Sequence, residues 1–164
     1  MSAIDDRLAE LSIELPDPPA PLGNYVGAHT VGNLVYLSGH GTNRPDGSFI
    51  VGKVPTVCSE EEAYQAARLV GLNLLATLKN HIGDLDRVQR VIKVLGMVNA
   101  EPGFENHPSI INGFSDLMVE VFGDAGRAAR SAVGMSSLPM NIPVEVEMIV
   151  WRNSQLNYRI PRRP

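Results

Sequence analysis

Apolar and polar residues alternate most regularly near the C-terminal end of the chain, over residues 144–151. Because successive side chains of a strand point to opposite faces, this period of two predicts a β-strand. One face of that strand is apolar, and the other mixes two carboxylates with two large apolar groups. The apolar face holds Val144, Val146, Met148 and Val150, and the mixed face holds Glu145, Glu147, Ile149 and Trp151. We expect a partner subunit or a binding cavity to cover the mixed face.

Two longer segments repeat their apolar residues every three or four positions, which predicts helices with one buried stripe. The first covers residues 60–82 and begins at a capping box, in which Ser59 and Glu62 stand three positions apart. The second covers residues 109–122 and follows Pro108, a residue favoured in the first turn of a helix. These are the two long helices of the predicted fold.

The remaining predicted elements are shorter. They are a helix over residues 3–12, a stiff proline-rich connector over 16–21, strands over 25–31 and 34–38, a central strand over 87–98 and a strand over 131–137. Residues 138–141 are expected to turn the chain back. The strands over 131–137 and 144–151 would then form a hairpin.

The order of these elements is helix, strand, strand, helix, strand, helix, strand, strand, which predicts an α+β fold. Its two long helices are expected to pack on one face of a single sheet. The other face then needs a cover, and association with further copies of the chain is the simplest one.

Composition narrows the class of protein. The 164 residues are 44% hydrophobic and 20% charged, as expected for one soluble globular domain. A formal net charge of -4 argues against nucleic acid as the main partner, although residues 159–163 form a basic run. The acidic N-terminus does not resemble a signal peptide, and no apolar run reaches the roughly 18 residues of a membrane span. With Cys58 as the only cysteine, we expect a cytoplasmic protein without disulfides or membrane contact.

Arg130 is a candidate for ligand binding. It follows a segment of glycines and alanines, and a guanidinium with little bulk around it suits bidentate capture of a carboxylate or phosphate. The predicted hairpin places it near the mixed face of the strand over 144–151. The alternative is a surface arginine, or one paired with Glu145 or Glu147, and spacing alone favours that alternative.

Glu145 and three residues of the early strands are further candidates. If it is partly buried, Glu145 suits general acid–base catalysis or the orientation of a water molecule, and it suits a structural ion pair with an arginine equally well. Tyr25, Ser38 and Gly39 offer hydroxyl groups and a backbone N–H to a ligand. Tyrosine and serine at strand ends are, however, more often structural.

No metal site or nucleotide-binding motif is predicted. The four histidines lack the spacing of metal ligands, such as two histidines on one helical turn. The glycine-rich segment 123–126 lacks the lysine of a phosphate-binding loop. Cys58 precedes a helix but has no base near it in the sequence, so we expect an ordinary thiol.

Several short motifs together resemble the reactive-intermediate deaminase family (RidA, YjgF-like). They are YV at 25–26, VGNLVYLSG at 31–39, ARSAV at 129–133, LP at 138–139 and VEVE at 144–147. Each motif alone has little specificity, but their order and spacing match the family over residues 20–153. The resemblance implies a chorismate-mutase-like α+β fold and a homotrimer whose sheets form a central barrel, with ligand sites at the subunit interfaces.

The resemblance also implies roles for individual residues. Arg130 matches the arginine that holds the carboxylate of a 2-imino or 2-enamino acid, and Glu145 matches the residue that orients or activates the attacking water. The positions that line or approach the pocket are matched by Tyr25, Ser38, Gly39, Asn112 and Ala132. The implied ligand is a small carboxylate-bearing metabolite, and the implied products are a 2-keto acid and ammonia, formed without a metal or an organic cofactor.

Departures from the family pattern predict a divergent subgroup. Ala132 stands where the family commonly has a cysteine, but that position acts largely through its backbone carbonyl, so the thiol is not required. Gly134 stands at a position that is often acidic. An N-terminal extension over 1–20 and a C-terminal tail over 154–164 flank the family-like domain at 21–153.

Three functions follow from these observations, in order of preference. The first is hydrolytic deamination of imino or enamino acids at a subunit interface. The second is a non-catalytic trimer that uses the same arginine to sense a small carboxylate. The third is RNA cleavage or inhibition of translation, which the acidic charge and the lack of aromatic residues among basic ones disfavour.

Overall fold

The computed structural model describes residues 2–153 of the chain. The helices in this part are α1 (Ala3–Glu10), α2 (Glu60–Ile82) and α3 (His107–Phe122), and the strands are β1 (Ala28–Val31), β2 (Leu34–His40), β3 (Val88–Asn99), β4 (Ala129–Met135) and β5 (Val144–Arg152). None of these helices is both long and apolar enough to cross a lipid bilayer. The predicted C-terminal tail over 154–164 lies outside the described residues.

Helix α2 begins and ends as its sequence predicts. The hydroxyl of Ser59 accepts a hydrogen bond from the backbone N–H of Glu62, and the carboxylate of Glu62 accepts one from the backbone N–H of Ser59. Gly83 ends the helix with a φ of 85°, in the left-handed region that favours glycine. Helix α3 has Pro108 in its first turn, as predicted, and begins at His107.

The five strands form one mixed sheet in the order β1-β2-β5-β3-β4. All neighbouring pairs are antiparallel except β3 and β4, which are parallel. Helices α2 and α3 pack on one face of this sheet, and the hydrophobic core lies between the two layers. The predicted α+β architecture, with two long helices on one face of a mixed sheet, is therefore confirmed.

The predicted hairpin between residues 131–137 and 144–151 is wrong. Strand β4 begins at Ala129 and pairs in parallel with β3, whereas β5 is inserted between β2 and β3. Burial explains the difference. On β5, Val144 and Val150 are fully buried, as expected for an interior strand, whereas the end of β4 is exposed, as expected at an edge.

The predicted strand over 25–31 is too long. Strand β1 begins at Ala28, although the carbonyl oxygen of Gly27 still accepts a hydrogen bond from the N–H of Ser38. Beside Gly27, the pairing of β2 with β5 is irregular, because its register shifts between Leu37 and His40. Strand β2 therefore offers no regular partner for an extension of β1 before Ala28.

The two faces of the sheet differ in composition. The face beneath the helices is closed by buried residues such as Val35, Val94 and Val146. The opposite face carries large apolar side chains that are between 37% and 58% exposed, namely Val31, Tyr36, Val133, Met135 and Trp151. Within the described part of the chain, nothing covers this open face.

Helix α1 packs against the same core as α2 and α3. Leu8 is buried there. The backbone N–H groups of Ala3 and Ile4 donate to the carboxylate of Asp86, each at 2.8 Å. The N-terminal helix is thereby fastened to the segment that precedes β3.

Candidate functional site

Arg130 lies on the edge strand β4 and points toward α3. Its register partner on β3 is Val94, which is buried beneath the helices. The Nη1 of Arg130 donates hydrogen bonds to Oδ1 of Asn112 and to Oγ of Ser115, both at 2.9 Å. A longer contact of 3.4 Å joins its Nη2 to the carbonyl oxygen of Pro108. The structure therefore brings two of the predicted site residues, Arg130 and Asn112, together.

One edge of the Arg130 guanidinium stays open. No residue within 2–153 accepts a hydrogen bond from its Nε or forms a salt bridge with it. The alternative of an ion pair with Glu145 or Glu147 is therefore wrong within one chain. Because Nη1 is occupied, the edge formed by Nε and Nη2 is the one that can hold a planar anion in bidentate fashion. Arg130 also lines a cavity of about 250 Å³.

Ser115 has no role in the sequence-based prediction. It lies three positions after Asn112 on α3, so both side chains project from the same side of the helix. Together they hold one nitrogen of Arg130 and so fix the plane of the guanidinium. In the sequence, the only indication of this role is that Ser115 follows Asn112 by three positions. That spacing becomes informative only when Asn112 is known to lie at the site.

Ala132 and Gly134 follow Arg130 along the same side of β4. Ala132 packs partly buried against the core. A side chain at Gly134 would overlap the ring of His107, so this glycine leaves room for the histidine. The ring of His107 packs edge-on against Phe104, with ring centroids 5.2 Å apart. The departure from the family pattern at Gly134 therefore has a packing reason.

Glu145 lies in a second cavity, of about 260 Å³, which Tyr25 and Gly39 also line. Alternation along β5 directs Glu145 away from the helices, because its neighbours Val144 and Val146 are buried beneath them. A side chain at Gly39 would overlap Oε1 of Glu145. The missing Cβ of Gly39 thus gives the carboxylate its place.

The carboxyl group of Glu145 has a raised pKa. The main cause is burial, which disfavours the charged form, and the negative charge of Glu147 adds to it. A carboxyl group whose pKa is shifted toward neutrality is better suited to taking up and returning a proton.

His40 lines the same cavity but is committed to the fold. Its Nδ1 lies 2.7 Å from the carbonyl oxygen of Ser38, so this nitrogen carries the proton and donates. Its Nε2, which is 2.8 Å from Oγ1 of Thr77, then accepts from that hydroxyl. Burial lowers the pKa of His40, which keeps the ring neutral. Between His40 and Glu145, the glutamate is therefore the group able to exchange a proton.

Two buried polar residues of α2 fix the segment over 38–43, which forms part of the cavity wall. Thr77 holds His40, and the Nδ2 of Asn73 donates to the carbonyl oxygens of Gly41 and Asn43, at 3.2 and 3.0 Å. In the sequence both residues interrupt an otherwise apolar helical stripe. That interruption is the signal by which their role can be found.

Ser38 and Tyr25 form hydrogen bonds within the chain. The hydroxyl of Ser38 donates to the carbonyl oxygen of Val26 at 2.7 Å, and Ser38 borders a separate depression on the open face of the sheet. The hydroxyl of Tyr25 accepts from the N–H of Leu22 at 3.3 Å. Within one chain Ser38 therefore acts as a structural clamp on the segment before β1, whereas Tyr25 faces the Glu145 cavity.

Five of the predicted site residues thus form two groups on opposite sides of the sheet. The arginine half-site consists of Arg130, Asn112 and Ser115 on the helix side at β4. The glutamate half-site consists of Glu145, Tyr25 and Gly39. The expected proximity of Arg130 and Glu145 across a hairpin is wrong, because β4 and β5 are not neighbours and the two side chains point to opposite faces.

Other reactive groups do not form a further centre in the described part of the chain. Between residues 2 and 153, no three His, Cys, Asp or Glu side chains are arranged to hold a metal ion. The pKa of the Cys58 thiol is raised, chiefly by burial and then by the charge of Glu62, which fits an unreactive cysteine.

Comparison with known proteins gives a consistent picture. Residues 5–150 match the model of the protein family described as "YjgF/chorismate mutase-like, putative endoribonuclease". The crystal structure of the protein Atu1372, of unknown function, from Agrobacterium tumefaciens is similar with a TM-score of 0.83 and 40% identity, over 92% of this chain and 94% of that one. The predicted chorismate-mutase-like fold is therefore confirmed.

Two curated relatives are similar over most of their length. Protein TCP17 from Trypanosoma cruzi is 37% identical over 149 residues, which cover 90% of this chain and 93% of that protein. A 2-iminobutanoate/2-iminopropanoate deaminase from Dermatophagoides farinae is 34% identical over 139 residues, which cover 84% of this chain and 93% of the relative.

Proposed function

The chain belongs to the YjgF/chorismate mutase-like family, and on that premise we propose that it is a hydrolytic deaminase of reactive 2-imino and 2-enamino acids. Its products would be a 2-keto acid and ammonia. The observation that carries the proposal is the arginine half-site, in which α3 holds Nη1 of Arg130. Within residues 2–153, Nε has no acceptor and Nη2 makes only the 3.4 Å contact with the carbonyl oxygen of Pro108. A carboxylate beside an imine is a ligand that the Nε and Nη2 edge fits.

The glutamate half-site would supply the proton acceptor for water, a group that the arginine half-site lacks. An imine carbon is already electrophilic, so fixing the carboxylate and one water molecule provides much of what hydrolysis needs. The carboxylate of Glu145 takes a proton from water while the water oxygen bonds to the carbon of the protonated imine, and the C=N electron pair moves onto nitrogen. That proton passes to the nitrogen of the resulting carbinolamine. The C–N bond then breaks, ammonia leaves with the electron pair, and loss of the hydroxyl proton forms the keto group.

Bringing the two half-sites together requires a second copy of the chain. We propose a homotrimer, in which the exposed apolar side chains on the open sheet face, such as Tyr36 and Trp151, are covered by neighbouring copies. The same contact would carry Arg130 of one copy toward Glu145 of the next. Three chains of 17.8 kDa predict a mass of about 53 kDa in solution.

The named activity of one relative supports the reaction class. The Dermatophagoides farinae protein is a 2-iminobutanoate/2-iminopropanoate deaminase, and it is 34% identical to this chain. Imino acids are therefore the first substrates to test.

A second candidate function is capture of a small carboxylate without turnover. It is favoured by the observation that Asn112 and Ser115 already hold the Arg130 guanidinium in place within one chain. This candidate predicts that keto acids bind and that imino acids are hydrolysed no faster than in buffer.

The experiment measures hydrolysis of imino acids that an amino-acid oxidase generates in the assay. Semicarbazide traps the remaining imine, so a lower yield of semicarbazone reports catalysed hydrolysis. We expect acceleration by the wild type and none by Arg130→Ala. The matched control is Arg44→Ala, which removes an exposed arginine outside both half-sites and should keep full activity. A folded wild-type protein that accelerates none of the imines would refute the deaminase and leave carboxylate capture.

A further inference from the structure

The cavity at Glu145 has mostly apolar walls made from two segments. The proline-rich connector supplies one wall, and the segment that precedes β5 supplies the other. Its apolar lining residues are Pro19, Ala20, Pro21, Leu22, Pro139, Met140 and Ile142. These residues lie outside the predicted site, and neither the predicted roles nor the proposed reaction uses them.

The size of this cavity exceeds the need of a small imino acid. It measures about 260 Å³, whereas an apolar cavity of about 150 Å³ in another protein binds benzene. A methyl or ethyl side chain would leave most of the space beside Glu145 unfilled. A phenyl or branched side chain would remove more apolar surface from water and gain the corresponding affinity.

The connector wall is also held in a defined conformation. Proline fixes its own φ, so Pro19 and Pro21 restrict the backbone of the wall before any ligand arrives. A preformed apolar wall binds with a smaller loss of conformational entropy than a flexible loop. At the mouth of the cavity, Leu22 is 68% exposed and offers further apolar surface to a ligand.

The polar groups of the cavity indicate where the reacting part of a ligand can lie. His40 has both ring nitrogens engaged with Ser38 and Thr77. Glu145 is the carboxyl group of the cavity and lies against Gly39. An imine beside Glu145 would place the apolar body of the ligand against the apolar lining residues.

We propose that this protein selects imino acids with a ring-sized or branched apolar side chain over those with a methyl or ethyl side chain. The inference rests on the proposed function for its reaction and deepens it by naming the substrate class. The side chain of the imino acid would contact the wall that is formed by the connector and by the segment before β5.

The test compares imines formed from alanine, 2-aminobutyrate, leucine and phenylalanine with the full chain. We expect kcat/KM for the phenylalanine-derived imine to exceed that for the alanine-derived imine at least about tenfold, because each methylene in an apolar pocket already contributes a factor of about 10 or more. Ala20→Phe adds a phenyl group to the connector wall of the cavity and should reduce that ratio to about one. The matched control, Val57→Phe, adds a phenyl group at a position that is 72% exposed and should leave the ratio unchanged.

A binding measurement separates this inference from the proposed function. Titration calorimetry with phenylpyruvate and pyruvate reports side-chain preference even where no imine is hydrolysed. Tighter binding of phenylpyruvate, weakened by Ala20→Phe, would uphold the side-chain inference although the deaminase had failed. Equal or stronger binding of pyruvate, binding of neither acid, or equal turnover of both imines would overturn it.

Discussion

Adding one methyl group at Gly39 should separate catalysis from folding. A Cβ at this position would overlap Oε1 of Glu145, whereas real Cβ atoms essentially never approach other heavy atoms within 3.0 Å. The φ of Gly39 is not in the left-handed region, so the effect of Gly39→Ala arises from this overlap and not from backbone strain. The carboxylate of Glu145 must therefore move.

The size of the effect follows from that movement. A displacement of about 1 Å in a group that positions the reacting water reduces kcat on the order of 100-fold. This factor corresponds to about 2.7 kcal/mol in the activation free energy. In the proposed trimer, Arg130 comes from the neighbouring copy and is held by its own Asn112 and Ser115, so binding of the carboxylate should change little.

The assay is steady-state hydrolysis of an imino acid, with kcat and KM measured separately, together with the melting temperature. Gly23→Ala is the matched control, because its added Cβ would meet the ring of Tyr25 at an ordinary contact distance of 3.5 Å. We expect Gly39→Ala to lose kcat and Gly23→Ala to retain it. A folded Gly39→Ala variant whose kcat stays within about threefold of the wild type would refute the role given to Glu145.

Three further predictions concern proton transfer, stability and positioning. In the wild type, kcat should rise with pH through a pKa above 4.5, because burial raises the pKa of Glu145 and the ionised form is the proposed base. Glu145→Gln should lose both the activity and this rise. A Glu145→Gln variant with the pH–rate profile of the wild type would contradict the proposed proton transfer. Thr77→Val removes the donor to Nε2 of His40 and should lower the free energy of unfolding by about 1–3 kcal/mol in urea titrations. The fold lowers the pKa of His40 below 6.5. The stability that the neutral ring contributes is therefore fully present above pH 6.5 and should be lost as the pH falls through the lowered pKa. A free energy of unfolding that does not change over this pH range would argue against this role of His40. Ser115→Ala should raise KM about tenfold with a smaller change in kcat, since one hydrogen bond to the charged Arg130 is lost; Ser115→Thr should restore KM, and an unchanged KM in Ser115→Ala would count against the positioning role.

Features that depend on neighbouring residues in the sequence could be predicted. The capping box of Ser59 and Glu62 is local, and so is the alternation along β5; both stand in the structure as the sequence indicates. The partners of a strand are not local. The turn residues before β5 favour a hairpin with β4, but the buried valines of β5 draw it between β2 and β3. That choice depends on total burial across the sheet, which no short motif encodes.

The candidate site shows the same division. Arg130 and Glu145 could be chosen as candidates from the sequence and the family resemblance, but their orientation follows from the strand order. The roles of Ser115 and Thr77 could not be predicted, because serine and threonine are common on helices. Each role depends on the side chain that the hydroxyl contacts, which is Arg130 for Ser115 and His40 for Thr77. Long-range partners of this kind are set by the tertiary fold.

The separation of the two half-sites onto opposite faces of the sheet has a genetic consequence. A subunit with Arg130→Ala still carries an intact Glu145, and a subunit with Glu145→Gln still carries an intact Arg130. If each active site draws on two neighbouring chains, co-expressing these two inactive variants should restore about a quarter of the wild-type activity in randomly mixed rings. Such complementation between alleles is impossible for an enzyme whose site lies within one chain. Two null alleles of this gene, each silent alone, are therefore expected to rescue one another in the same cell.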